Sequence, residues 1–172
     1  RVNADGYIEK GYENLLLQSN TFSDAAWGKS NVSLTSGQAG YDDSNDAWIL
    51  ESTNTTSSQI NQSISLSGVS TISVYAKAGT SNFLLLYGFS TSTARAWFDL
   101  SNGTIQSTLN DVDAKIESVG NGWYRCSLIG NDSFTQFRIY VASSGSFSSG
   151  LGDNIYIQDA MLNQGLVAYP YI

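Results

Sequence analysis

What most constrains this chain is a two-residue rhythm of apolar side chains that recurs in short segments and nowhere gives way to a helical stripe. Ile60, Ile64 and Leu66 fall on one side of their segment, with Asn61, Ser63 and Ser65 on the other. In the same way Ile72, Val74 and Ala76 oppose Ser73, Tyr75 and Lys77, and Ala96, Phe98 and Leu100 oppose Arg95, Trp97 and Asp99. Tyr124, Cys126 and Leu128 oppose Trp123, Arg125 and Ser127, and Phe137, Ile139 and Val141 oppose Arg138 and Tyr140. Successive side chains of a strand point to opposite faces, so each segment reads as a half-buried antiparallel strand. Asn102-Gly103 between two such runs marks a hairpin, and Gly120-Asn121-Gly122 a tight turn launching the strand from Trp123. The run 83–89 is apolar on both faces and is expected to lie mid-sheet, covered on both sides. Further strands are expected at 14–17, 31–35, 48–51 and 154–162. Phe22 and Trp27 bracket a turn that packs back on a sheet edge, with Trp27 as a core plug rather than a ligand contact.

Composition bounds the rest. With 172 residues, 41% of them hydrophobic, 16 Gly and one Pro, the chain has material for one all-β domain. That domain is placed at 14–172, behind a charged, glycine-containing arm or connector at 1–13; the start at Arg1 rather than Met is what an excerpt of a longer protein would show. A formal net charge of −7 disfavours a grip on phosphates through counterion release, so nucleic acid is not an expected partner. The absence of His removes the commonest general base and metal ligand. No apolar run approaches the ~20 residues of a membrane span, so no membrane partner is expected. Cys126, the single cysteine, sits on a core face and reads as a small buried hydrophobe.

The chemistry lies in the outward set of Tyr75, Lys77, Arg95, Trp97, Asp99, Trp123, Arg125, Arg138, Tyr140 and Tyr156. Rings interleaved with Arg and Asp can stack on the apolar face of a sugar and hydrogen-bond its hydroxyls. Tyr75, Arg95, Trp97, Asp99, Trp123, Arg125, Arg138 and Tyr140 are therefore the candidate ligand-binding residues, set beside each other on one face. The same set also suits contacts between subunits, or packing within the chain if the faces are inverted. Catalysis is not expected: Asp99, Asp113 and Glu117 are not placed as an acid pair across a cleft. Asp42, Asp43 and Asp46 form the most acidic local cluster, which reads as a solvated turn or as oxygen ligands for Ca²⁺.

The order Asn14-Leu15-Leu16, Phe22, Trp27, then Ser73-Val74-Tyr75-Ala76-Lys77-Ala78-Gly79, Trp97-Phe98-Asp99-Leu100, Gly120-Asn121-Gly122-Trp123-Tyr124-Arg125 and Ile155-Tyr156-Ile157-Gln158-Asp159-Ala160-Met161-Leu162 resembles the carbohydrate-binding-module-like jelly-roll domains of bacteriophage tail and head fibre proteins. The resemblance implies an antiparallel two-sheet β-sandwich of jelly-roll type, acting as a non-catalytic adhesion or decoration module on a virion or another extracellular protein. Its implied ligand is a cell-surface polysaccharide, with a homotrimer or other virion proteins as further partners. The alternative is a structural fibre domain whose aromatic face makes subunit contacts. The resemblance also implies a structural Ca²⁺ near the joined chain ends, which places Asn14 and Asp159 as first-choice ligands and Asp42, Asp43 and Asp46 as second. Gln158 stands where related modules carry the first of two acids.

Overall fold

The structure, a computed structural model, describes residues 13–88, 94–109, 113–131 and 133–172. The expected arm thus lies outside the described residues except for Glu13, as does Phe89 at the end of the apolar run. Strands are numbered in chain order. One sheet is built, edge to edge, of β1 (Gly28–Ser30), β4 (Ser58–Leu66), β11 (Phe134–Ala142), β6 (Phe83–Tyr87), β7 (Arg95–Asp99) and β8 (Thr104–Leu109). The other is built of β2 (Val32–Gln38), β3 (Ala47–Ser52), β12 (Asn154–Gln164), β5 (Val69–Ala78), β10 (Trp123–Asn131) and β9 (Asp113–Gly120). Every pairing is antiparallel. This is the two-sheet β-sandwich that the alternation calls for, and among the described residues there is no helix.

The alternation holds strand by strand. Ile72, Val74, Ala76, Leu84, Leu86, Ala96, Phe98, Cys126, Leu128, Phe137, Ile139 and Val141 meet between the sheets in one core. Cys126 is fully buried, and burial pushes its thiol up. β6 lies mid-sheet with both faces covered, since Leu85 is as buried as Leu84 and Leu86. The hairpin at Asn102-Gly103 forms, though not as a two-residue turn: only Gly103 takes a positive φ, and its N–H donates to Asp99 O four residues back. At 120–122 three successive residues are left-handed (φ 98°, 52° and 78°), a run that glycine at both ends makes accessible.

The expected first strand at 14–17 is not one. Leu15 N donates to Leu162 O of β12, but the pairing goes no further and side chains serve the neighbouring backbone groups. Asn14 Oδ1 accepts from Leu16 N and Leu162 N, while Gln62 accepts from Leu17 N and donates to Leu17 O. The segment therefore turns, with Leu16 buried in the core and Leu15 packed partly buried against it. Phe22 and Trp27 follow as plugs at the open end of the sandwich, their rings 5.2 Å apart and Trp27 5.9 Å from Phe137. Trp27 Nε1 donates to Gln18 O, so its one polar group is satisfied. Trp27→Ala is expected to cost about 3–5 kcal/mol in chemical denaturation, with the slope against denaturant unchanged.

Candidate functional site

The outward residues face outward in every case, yet they do not share a face. Tyr75, Lys77, Trp123, Arg125 and Tyr156 belong to the sheet of β5, β10 and β12, whereas Arg95, Trp97, Asp99, Arg138 and Tyr140 belong to the sheet of β7 and β11. The sandwich sets these two groups back to back. The expected single platform is corrected to two, because local alternation fixes which side of its own sheet a residue takes and carries nothing about which sheet the strand joins.

On the β5–β10–β12 face the rings are buried. Trp123 is 1% exposed and Tyr75 9%. Tyr41 lies on Tyr75 at 3.7 Å with the planes 6° apart, Trp123 meets Tyr41 and Tyr156 edge-on, and Tyr171 packs against the group. The C-terminal segment 165–172 runs over this face as a strap. Arg125 holds it by donating to Ala168 O at 3.4 Å and to Tyr169 O, while its guanidinium lies 5.4 Å from the Tyr75 ring. Tyr171 shares a hydroxyl hydrogen bond with Ser19. Trp123 and Tyr75 are thus packing residues, and Arg125 is a tie between strand and strap.

The two expected cation sites meet at the edge of the same face. A bulge between Gln158 and Met161 leaves Asp159 left-handed at φ 52° and brings Gln158 against the 40–46 loop. Gln158 Oε1 accepts from Tyr41 N, which fixes the orientation of the amide. Its Nε2 then donates to Asp42 Oδ1 at 3.0 Å, Ser44 Oγ at 3.1 Å and Asp46 Oδ1 at 2.7 Å. The amide nitrogen occupies the point on which these oxygens converge. Asn14, the other first-choice ligand, has its side-chain carbonyl taken by two backbone N–H groups and donates to Ala160 O. Among the described residues no group of three or more His, Cys, Asp or Glu is arranged to hold a metal ion. The oxygens expected to serve a Ca²⁺, those of Asp42, Asp46 and Asn14, are in this structure engaged by N–H donors of the chain. Asp43, exposed and left-handed at φ 65°, simply turns the loop.

Asp159 is 5% exposed and accepts a hydrogen bond from Tyr41 Oη at 3.0 Å. Burial raises its pKa, the Tyr41 hydrogen bond opposes this, and the charges of Asp46 and Asp42 raise it further, to about 6. Hydrogen bonds from Ser44 and Gln158 hold Asp42 below its ordinary value.

The β6–β7–β11 face differs in how its rings are covered. Phe147, from the 143–149 turn, packs edge-on against Trp97 at 5.8 Å and Tyr140 at 5.4 Å, and Trp97 Nε1 donates to Ser146 O. Trp97 and Tyr140 are each 3% exposed, so the open stacking surface expected of them is corrected to a buried floor. Two guanidinium groups lie over that floor. Arg95 sits 5.2 Å from the Trp97 ring and 4.6 Å from Phe147, and Arg138 sits 5.0 Å from Tyr87. Cross-strand register makes a row of Asn61, Arg138, Tyr87 and Arg95 across β4, β11, β6 and β7. All four side chains are partly open to solvent. Arg138 donates from Nε to Gln136 Oε1 at 2.6 Å and from Nη1 to Tyr140 Oη at 3.2 Å. Buried beside the row are two polar atoms without a hydrogen-bond partner, Arg95 Nε and Gln59 Oε1. Asp99 faces the same way, but its carboxylate accepts from Ser101 N, Ser101 Oγ and both nitrogens of Asn102. Burial alone would raise its pKa; these hydrogen bonds outweigh it and hold the group low. Sequence reasoning missed Tyr87, Asn61 and Gln136, although Tyr87 lies on the same side of β6 as Leu85 and could have been found from that alternation.

No family model matches the chain, and no curated protein is similar to it. Among solved structures, one similar fold is a carbohydrate-binding module, TmCBM61, in complex with β-1,4-galactotriose, at 10% identity and a TM-score of 0.49 over 90% of this chain and 100% of that one. Another is the enzymatically active domain of tailspike protein 4 of bacteriophage CBA120, at 14% identity and a TM-score of 0.47 over 90% of this chain. This chain spans 21% of that tailspike chain. Likenesses of this size carry nothing about what this chain binds, and the sandwich rests on the strand pairing itself.

The raised Asp159 carboxyl makes a stability prediction with a defined sign. A folded-state value of about 6 against an ordinary 3.8 means that the protonated form favours folding; this contribution is complete below pH ~4 and lost as pH rises through ~6. Asp159→Asn keeps a residue tolerant of the left-handed backbone and removes the titration. Across pH 4–7 the Tm of the parent chain is expected to fall relative to that of the variant.

Proposed function

We propose that this chain is a non-catalytic glycan-binding module, an adhesion or decoration domain of a virion or another extracellular protein, and that it holds a cell-surface polysaccharide on the outer face of β11, β6 and β7. The observation that carries the reading is the row of Asn61, Arg138, Tyr87 and Arg95 on a ring-packed floor. Sugar binding needs fixed donors and acceptors next to apolar surface. The row offers guanidinium N–H groups, a phenol hydroxyl and an amide, with Phe83 and Phe147 partly open beside them. The floor is rigid because Trp97 is tied to Ser146 O and wedged by Phe147, so little order has to be created on binding. The opposite face is a poorer candidate, since its own strap and loop cover its rings.

The non-catalytic reading is supported by Asp99, the acid on this face, being engaged by Ser101 and Asn102. The second reading, contact between copies in a fibre, draws on the strap, where Leu166 and Val167 are 68% and 60% exposed.

A glycan array followed by calorimetry on the best binder tests the proposal. Tyr87→Ala and Arg138→Ala are expected to weaken binding by at least about tenfold, each loss amounting to one well-placed contact of ~1.4 kcal/mol or more. Tm in both variants stays near that of the parent, because both side chains lie outside the core. A folded chain that binds no glycan and elutes as an oligomer would instead support the fibre reading.

A further inference from the structure

The row concentrates positive charge in a chain whose formal net charge is −7. The other described cations with assigned partners are engaged by oxygens of the chain, although Arg125 Nε, like Arg95 Nε, is buried without a hydrogen-bond partner. Lys29 donates to Asp24 O and Trp27 O, Lys115 pairs with Glu117 at 2.8 Å, and Arg125 holds the strap. Arg95 and Arg138 meet ring faces and neutral oxygens as Arg125 does, but the two stand in one row and neither donates to a backbone carbonyl of the described residues. A guanidinium against a ring keeps its charge and leaves its edge donors free. Among the described residues no carboxylate pairs with either group, and Asp99 is consumed by its own turn.

The donor accounting points the same way. A guanidinium carries five N–H donors. Among the described residues Arg138 directs Nε and one Nη2 hydrogen to Gln136 and one Nη1 hydrogen to Tyr140, which leaves two without a described partner. Arg95 donates to no described residue, and its Nε is buried without a partner. Buried donors left unmade are costly, and a neutral hydroxyl is a weaker acceptor for them than a carboxylate, which takes the guanidinium fork with two parallel hydrogen bonds. Arg138 pairs across with Tyr87, and Tyr87 with Arg95, so the two cations stand two strand spacings apart, about 10 Å between Cα atoms.

We infer, on the glycan-binding reading above, that the polysaccharide is acidic and that Arg95 and Arg138 read carboxylates recurring along it. Asp99, the charged carboxylate on this face, is engaged by Ser101 and Asn102. The acidic 42–46 loop sits on the far face of the sandwich, beyond two sheets themselves about 10 Å apart, and the Debye length at physiological salt is only ~8 Å.

Calorimetric titration with polygalacturonate, alginate and hyaluronan, each beside its carboxyl-reduced neutral form, tests the inference; neutral galactan and dextran sulfate complete the set. One uronate polymer or more is expected to bind, to lose at least about tenfold in affinity on carboxyl reduction, and to weaken as salt is raised. Arg95→Ala and Arg138→Ala are expected to abolish the preference for the acidic form, while Arg138→Lys, which keeps charge without the fork, retains it only in part. If the reduced polymers or galactan bind as well as the uronates, the inference falls and the glycan reading stands. Equal binding of dextran sulfate that the variants leave untouched means unspecific polyanion adhesion and also overturns it. A folded chain that binds nothing in the set overturns both readings together.

Discussion

Each sheet of this sandwich carries apolar or aromatic side chains on both faces, and one shared core can bury only the inner two. The outer rings, Trp97 and Tyr140 on one sheet and Tyr75 and Trp123 on the other, each represent on the order of 150–250 Å² of surface that water disfavours. The chain must therefore supply its own covers. It does so with segments that are not strands: the 40–46 loop and the C-terminal strap over β5, β10 and β12, and the 143–149 turn over β6, β7 and β11. Much of the non-strand architecture follows from that requirement. Gln158 ties down the 40–46 loop, Arg125 ties down the strap, and Ser146 receives the Trp97 indole.

The covers are unequal, and the inequality is where function enters. Over β5 and β10 the rings are capped by other rings and by backbone, and Arg125, which also lies against the Tyr75 ring, is spent on carbonyl groups of the strap. Over β6, β7 and β11 the turn reaches the rings with Phe147 and the Ser146 carbonyl, and Arg95 and Arg138 complete the cover. A cation used as a lid remains a cation at the surface. A face built to hide tryptophan from water thus presents two guanidinium groups, a phenol and an amide in register. This arrangement suits an extended ligand with polar and anionic groups better than it suits a flat apolar partner.

Two-residue alternation made most of the strands legible, and the inward set from Ile72 to Val141 is the core that the structure has. It could not assign strands to sheets, because seven of the eleven connections between the described strands cross from one sheet to the other and nothing local marks a crossing. That is why ten outward residues read as one face when they form two. Nor could it anticipate that Trp97 and Trp123 would be roofed by Phe147, Tyr41 and Tyr171, since those contacts join residues some 50 to 80 positions apart from loops without periodicity. The failed strand at 14–17 has a side-chain cause: beyond one backbone bond to β12, the Asn14 and Gln62 side chains take the place of a strand neighbour, and apolar content alone cannot distinguish that from pairing. The Gln158 position was recognisable as a departure, but its amide tying down the acidic loop needed the geometry of 40–46.

The most direct measurement of the central claim, that the β11–β6–β7 face is the binding face, is hydrogen–deuterium exchange of the chain with and without a bound acidic oligosaccharide. The account expects added protection confined to peptides covering 83–88, 95–99 and 136–142, with the strap at 165–172 and the 40–46 loop unchanged. Protection centred on the strap and the 40–46 loop would put the ligand on the opposite face and contradict it.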